Sequence, residues 1–488
     1  MLETMFKGPG AALALLLCVP VLLVLISPEP VQGHEFTVYR MQQYNLQREK
    51  YGCRGVFVQG EARTVEEEVL TRRCVIMRLP DFTLERFHDA VRQTAAAMLI
   101  LVPANISSVP QHVAQPFMAS EPEALLSETL IPVYVAHEDS ELLSIYEQTK
   151  SASLALRSSA VLQVISMVTA NGFQMVAGSD VQIKPINDSA IVTLEGMLPG
   201  RGEDLPTIVI VAHYDSFGIA PWLSYGADSN GSGVAVLLEL ARLFHKLYSD
   251  RRTQAGHNIL FSLTGGGKFN YQGTKRWIEE HLDHSESSLL HDNVAFVLCL
   301  DTLGNGEALH LHVSRPPRPG TVQHAFIQQI EQVVSSCFPS VTFGVVHKKI
   351  NLGDTALGLM PGSMLVEMGT AGTHPLLWGP AIQETPHLPP RSQMDIRKLR
   401  RNTAIVAEAL ARFMYNFTEK GSLMELQVFK GRLEVQESRL SSLVHWLSSQ
   451  SRAAQLLERD PGLLPTLELQ LSRYLRQVQR HTFLTDKR

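Results

Sequence analysis

The chain has 488 residues, 45% of them hydrophobic and 19% charged, with a formal net charge of −5 at pH 7. That length gives room for about two to three globular domains with a substantial core, and the composition excludes general disorder. So small a charge leaves no electrostatic footprint for direct nucleic-acid binding.

In chain order, the first element is an uncharged apolar run at residues 11–27, behind Lys7 and ahead of Val31-Gln32-Gly33. Residues 1–33 therefore read as a secretory signal peptide. The run is marginal for a membrane span, which leaves an uncleaved anchor as the alternative. Either way the body, from His34 onward, is placed in the secretory lumen. Cys18 falls in the signal, and the remaining cysteines are too few for a disulfide scaffold. Cys53 and Cys74 lie in one small lobe and are a candidate bridge in an oxidising compartment. Cys299, inside an apolar strand, reads as a buried thiol. Asn105-Ile-Ser, Asn187-Asp-Ser and Asn416-Phe-Thr match the glycosylation acceptor pattern, and lumenal targeting makes them the expected sites. Asn230-Gly-Ser matches too, but sits at a site-forming turn and is expected to stay unmodified.

Residues 34–160 read as a small α/β lobe, with helices at 81–97 and 138–149 and strands at 98–102 and 131–135. Residues 161–420 form the main domain. Strands at 190–198 and 207–212 flank a Pro/Gly/Glu/Asp turn and read as antiparallel neighbours. Strand and helix then alternate through 234–248, 257–263, 271–282, 294–300, 308–313, 321–338 and 341–346, which predicts a mixed sheet with helices on both faces. Prolines interrupt all periodicity within 352–392, which reads as irregular. A helix returns at 397–418, and 421–488 reads as a C-terminal helical segment with helices at 433–449 and 464–483.

Chemistry-bearing residues gather at the ends of the central strands, where open α/β sheets place their sites. His213 and Asp215 close the apolar strand that begins at Thr207. Asp228 lies in Gly226-Ala-Asp-Ser-Asn-Gly-Ser-Gly233, just before a helix, and Asp301 follows the strand ending at Leu300. Imidazole and carboxylates in this arrangement suit zinc: His213 could ligate, Asp215 hold its ring, Asp228 bridge two ions and Asp301 ligate the second. Gly265-Gly266-Gly267-Lys268 does not make a phosphate loop, because Ser262 takes the first glycine position and Phe269 follows the lysine. No Gly-x-Ser-x-Gly elbow is present for a serine hydrolase.

Ala212-His213-Tyr-Asp215, Gly226 to Gly233, Tyr271-Gln-Gly273-Thr274 and Leu300-Asp301 together resemble the co-catalytic zinc aminopeptidase family, and more closely its non-catalytic, nicastrin-like relatives. The resemblance covers about residues 34–350 and 395–488. It implies an α/β, aminopeptidase-like mixed sheet flanked by helices, with the small N-terminal lobe and the C-terminal helical segment attached. The active family carries Glu-Glu six residues before its Gly-Ser, as general base and metal ligand. Counted back from Gly273-Thr274, those slots hold Gly267 and Lys268. Glycine cannot take a proton, and an ammonium has no acceptor. Placed between Asp228 and Asp301, Lys268 would repel divalent ions and could pair with the carboxylates instead. The family's last histidine ligand would fall in the irregular region, where His374 and His387 are the candidates.

The implied function is non-enzymatic and needs no cofactor. The resemblance implies a glycoprotein of the endoplasmic reticulum membrane with a lumenal domain. Its implied partners are Nodal modulator and a multipass membrane subunit, beside the translocon and ribosome during multipass membrane protein insertion, with a link to Nodal signalling. A membrane span beyond the last helices is also implied. The competing expectations are a lumenal metallo-aminopeptidase with a degenerate metal site, and a module that holds peptide N-termini without cleaving them.

Overall fold

A computed structural model of the chain describes residues 33–46, 49–103, 109–155, 172–178, 190–216, 218–267, 271–283, 293–304, 307–313, 317–347, 365–369, 394–417, 426–452 and 462–484. The signal-peptide run, Asn105, Asn187, Lys268, His374 and His387 lie outside these residues.

The N-terminal lobe holds strands β1 (Val38–Arg40), β2 (Gln43–Leu46), β3 (Glu49–Cys53), β4 (Val58–Thr64), β5 (Cys74–Arg78), β6 (Ala97–Val102), β7 (Glu128–Thr129), β8 (Val133–His137) and β9 (Gln174–Ala177). Its helices are α1 (Leu84–Arg92), α2 (Gln111–Leu126) and α3 (Ser140–Ala155). Strands order as β1-β8-β6-β5-β4-β9, with a parallel centre and antiparallel edges. β6 is buried at every position, as a central parallel strand requires. The sheet closes with β9, so the lobe draws on chain beyond residue 160. Cys53 and Cys74 are both free thiols and belong to different core clusters, so the expected bridge is not formed. Each thiol is buried instead: Cys53 donates to the Ile131 carbonyl at 2.9 Å, and burial pushes Cys74 up to about 11.

The main domain comprises β10 (Ala190–Leu198), β11 (Thr207–His213), α4 (Gly233–Tyr248), β12 (Asn258–Thr264), α5 (Gln272–Asp283), β13 (Val294–Leu300), β14 (Ala308–Val313), α6 (Val322–Cys337), β15 (Thr342–His347), β16 (Leu365–Gly369), α7 (Ile396–Met414), α8 (Glu437–Ser448), α9 (Leu463–Ser472) and β17 (Arg476–Leu484). One sheet runs in the order β15-β14-β16-β13-β11-β12-β10-β17. β11, buried along its whole length, sits between parallel β12 and β13. α4 packs in the large cluster on one face, and Trp277 and Ile278 of α5 pack with Val209, Val211, Leu260 and Val297 in a separate cluster.

Three sequence expectations are corrected here. β10 is not the antiparallel neighbour of β11; it pairs with β12 and β17. The turn between β10 and β11 is bound to the start of β12, through Gly200 N to Asn258 Oδ1 at 2.9 Å, and to the loop before it, through Arg201 N to the Ala255 carbonyl at 2.9 Å, so it does not close a hairpin. Within the irregular stretch, Leu365–Gly369 is a strand that fills the gap between β13 and β14. The helix expected at 464–483 ends after one short element: Leu463–Ser472 is helical, and Arg476–Leu484 extends as the edge strand on β10. Apolar spacing supports both readings of that stretch, and pairing with the open edge of β10 decides the outcome.

The C-terminal segment is integral to the domain. Leu440, Leu443, Leu447, Leu467 and Leu471 lie in the same core cluster as α4 and α7. Two buried carboxylates fasten it. Glu239 on α4 accepts from the Gln436 amide at 3.0 Å and faces Arg242 and Arg439, and Glu408 on α7 accepts from the Val428 and Phe429 amides. Such carboxylates tolerate burial because each is met by opposite charge or by amide donors. Among the described residues no helix is long and apolar enough to cross a membrane.

Candidate functional site

The carboxyl ends of β11, β12 and β13 and the start of α4 converge, as parallel strands flanking a buried centre must. His213 ends β11 and is buried, and Asp215 follows it, also buried. A π-helical turn, Ala227–Ser232, carries Asp228 into α4. Gly233 at the head of that helix lies against the Leu300 carbonyl and the Asp301 backbone, so closely that a Cβ would overlap them. This contact brings Asp228 beside Asp301.

Asp228 Oδ1 accepts from the Gly304 amide at 2.8 Å. Burial, joined by the like charge of Asp301, raises its pKa to about 6 despite the Gly304 and Ser232 hydrogen bonds. Asp301 Oδ1 accepts from the Thr302 amide at 2.9 Å. Ser232 ties the two loops, donating to the Asp228 carbonyl at 2.6 Å and accepting from the Leu303 amide at 2.8 Å. Asn230 is fully buried and its amide donates to the His213 carbonyl. That occupies the side chain of the one acceptor-pattern asparagine placed at this turn. Asn416, by contrast, is exposed just past the end of α7.

After β12 the backbone turns back over His213. Gly267 donates its amide to Asp215 Oδ1 at 2.9 Å, and its Cα lies against the His213 ring. A Cβ at 267 would fall closer than 3.0 Å to Cβ, Cγ and Cδ2 of His213, a separation that real side chains do not show. Tyr271 covers another side of the ring edge-on, with centroids 5.9 Å apart. Packing against the His213 ring thus leaves no room for a side chain at position 267.

One residue of this centre carries no sequence signal. Arg452, just beyond α8, is fully buried among the site loops. Its guanidinium donates to the carbonyls of Tyr214 at 2.8 Å and Tyr225 at 2.9 Å, to the Gly226 carbonyl, and to Asn230 Oδ1 at 3.3 Å. Its backbone completes a short ladder with Ser216 and Ser224. Burial pulls the guanidinium down to about 10, and the charge of Asp215 acts the other way. No periodicity or motif marks a single arginine in a connecting loop, so only the fold reveals it. On the far side of the same loop, Ile219, Ala220 and Leu223 pack into the N-terminal lobe's core, and the Ile219 amide donates to Glu121 at 2.8 Å.

The donor set among the described residues does not fit a pair of zinc ions. It offers one imidazole and the carboxylates of Asp228 and Asp301; Asp215 is engaged by the Gly267 amide, and a buried guanidinium sits near it. A co-catalytic centre needs further anionic and imidazole ligands and a base for the bound water.

A sheet with a parallel core, with His213 and Asp301 at its strand ends and Asp228 at the turn into the next helix, is the framework of a peptidase M28-type domain, and the Peptidase family M28 model matches residues 193–345. Relatives extend the likeness over the whole chain. BOS complex subunit ncln of Danio rerio is 54% identical over 96% of this chain and 85% of its own length. BOS complex subunit NCLN of Homo sapiens is 52% identical over 100% of this chain and 87% of its own length. Nicalin of Caenorhabditis elegans is 27% identical over 87% and 77% respectively. The chain belongs to the nicalin family. The crystal structure of nicastrin, a gamma-secretase component, shares the fold, with a TM-score of 0.59, 10% identity and 92% coverage of both chains.

Two outcomes follow for the site. Arg452→Ala strips buried carbonyls of their donors, and should cost roughly 3–5 kcal/mol in denaturant unfolding; Arg452→Lys, lacking the planar fork, should recover less than half of that. The second concerns pH. Because folding raises Asp228 above its unfolded value, the folded state binds the extra proton. Stability from this group is therefore full below about pH 4, falls as pH rises to about 6, and stays reduced above. Asp228→Asn should flatten that stretch of the stability–pH curve and raise stability at pH 7.5 by roughly 1–3 kcal/mol. An unchanged curve would show that Asp228 titrates normally.

Proposed function

We propose that this chain is a non-catalytic, peptidase-fold subunit of the BOS complex in the endoplasmic reticulum membrane. Its glycosylated body lies in the lumen, with Nodal modulator and a multipass membrane subunit as its partners. On this reading it stands beside the translocon and ribosome during multipass membrane protein insertion, and its link to Nodal signalling runs through that assembly. The assembly part of the reading rests on what the relatives are called, over 85% and 87% of their lengths.

The single observation that carries the non-catalytic part is the packing of Gly267 on the His213 ring. General base catalysis typically supplies about 10²–10⁴-fold in rate, and this position can neither hold nor make room for the base. The purified full chain should therefore show no aminopeptidase activity above background with or without added zinc, and Gly267→Glu should lower stability without creating turnover. Metal-dependent turnover abolished by His213→Ala would overturn the reading. Affinity capture from detergent-solubilised reticulum membranes should bring down the two membrane partners; a chain that elutes alone would refute the assembly.

Lys268 completes the proposal as the counter-charge of Asp228 and Asp301, in the slot of the family's second glutamate. A cation beside two neighbouring carboxylates favours the ionised form of both. Lys268→Ala should then lower the thermal midpoint and steepen the loss of stability between about pH 4 and 6 that Asp228 produces. A midpoint and pH profile identical to the parent would leave Lys268 as a solvated residue.

A further inference from the structure

A second cluster of metal-ligating side chains lies away from the site above. Glu195 on β10, His281 on α5 and His481 on β17 bring one ligand atom each to within 4.8 Å of one another. Glu195 and His281 are buried, and His481 is part exposed at the sheet edge. Glu195 belongs to a strand otherwise made almost wholly of apolar and small residues, where an unneutralised carboxylate would be costly.

The outer hydrogen bonds set the ring orientations. His281 Nδ1 lies 2.7 Å from the Trp277 carbonyl, which only accepts, so that nitrogen carries the proton and Nε2 faces Glu195 Oε2 at 3.5 Å. His481 Nδ1 lies 3.0 Å from Glu280 Oε2, again an acceptor, and Nε2 faces Glu195 Oε1 at 2.9 Å. Trp277 Nε1 donates to Glu195 Oε2 at 2.6 Å and holds the carboxylate in place. Each imidazole thus turns a nitrogen toward a carboxylate oxygen, and a cation has to stand between them. That cation is either a proton on each ring or one metal ion shared by all three side chains.

We propose that Glu195, His281 and His481 form a structural site for a divalent transition ion of zinc type, which fastens the edge strand β17 to the sheet. Two imidazoles and one carboxylate are an established zinc donor set, with water in the fourth position, here opening on the His481 side. Ligands about 2.0–2.1 Å from such an ion stand about 3.3 Å apart; here the two imidazole nitrogens lie 2.9 and 3.5 Å from different oxygens of Glu195, and all three ligand atoms fall within 4.8 Å, so binding an ion would draw the three side chains together. The Trp277 carbonyl, the Glu280 carboxylate and the Trp277 indole N–H are the kind of outer partners that fix ligand tautomer and direction in metal sites. The ion would link parts of the chain 286 residues apart, between Glu195 and His481.

The test uses the full chain, stripped with chelator and titrated with zinc sulfate. One equivalent should bind, by elemental analysis after gel filtration, and a hundredfold excess over Kd should raise the thermal midpoint by about 3 °C. The gain should vanish in His281→Gln and His481→Gln, whose amides can keep a hydrogen bond to Glu195, and persist in His213→Ala. X-ray absorption on the zinc-loaded parent should show two imidazoles and no sulfur, and does not depend on any variant folding. Absence of zinc uptake, a shift untouched by both glutamine variants, loss of the shift in His213→Ala alone, or thiolate ligation would each overturn the site.

Discussion

The buried guanidinium of Arg452 is the constraint on which the centre of this molecule depends. A fully buried cation is tolerable only where dipoles and an opposite charge replace its lost water. Here the carbonyls of Tyr214, Tyr225 and Gly226 do so, with Asp215 nearby. The same bonds fix the path of the loop from His213 to Asp228. That path sets the π-helical entry to α4, and the entry sets the Asp228–Asp301 approach. In a metallopeptidase of this fold, ions can cross-link strand ends from within. In this chain an arginine from a distant segment holds the loops from behind.

A second constraint is steric. With Gly267 laid on the His213 ring, backbone and imidazole pack as they would in a core. The amide of Gly267 donates to Oδ1 of Asp215, which ties this backbone to the loop that follows His213. The strand ends still converge, because the parallel arrangement of β11, β12 and β13 is set by apolar burial along their lengths. The chemistry at those ends is separable from the architecture below, which is how one fold serves both hydrolysis and scaffolding.

Much of this was legible in the residues. The alternation of apolar strands and amphipathic helices revealed the α/β class, and His213, Asp228 and Asp301 marked the convergent end before any coordinates. The spacing back from Gly273 singled out Gly267, which the structure places against the His213 ring. What was not legible depends on long-range pairing. β10 and β11 are neighbours in the chain but not in the sheet, because the turn between them binds the loop before β12. Residues 476–484 carry a pattern compatible with a helix, and the open edge of β10 draws them into a strand. Proline spacing hid Leu365–Gly369, since a five-residue strand paired on both sides needs no flanking periodicity. Arg452 left no trace at all, and Glu195 left only a carboxylate in an otherwise apolar strand.

The pairing of β17 with β10 also bears on how the chain matures. β10 leaves the ribosome early, yet its outer edge must stay unpaired until a strand nearly 300 residues later emerges. At about 5–20 residues per second, that is a wait of roughly 15–60 seconds with an open hydrogen-bonding edge. The site loop waits as well, since its inner buttress is Arg452 while its outer one, the N-terminal lobe, is already made. The domain therefore cannot reach its final state vectorially. A nascent chain of this kind has to be shielded along one sheet edge for most of its synthesis, and an arrest after β10 but before residue 476 leaves an aggregation-prone template in the compartment where it is made.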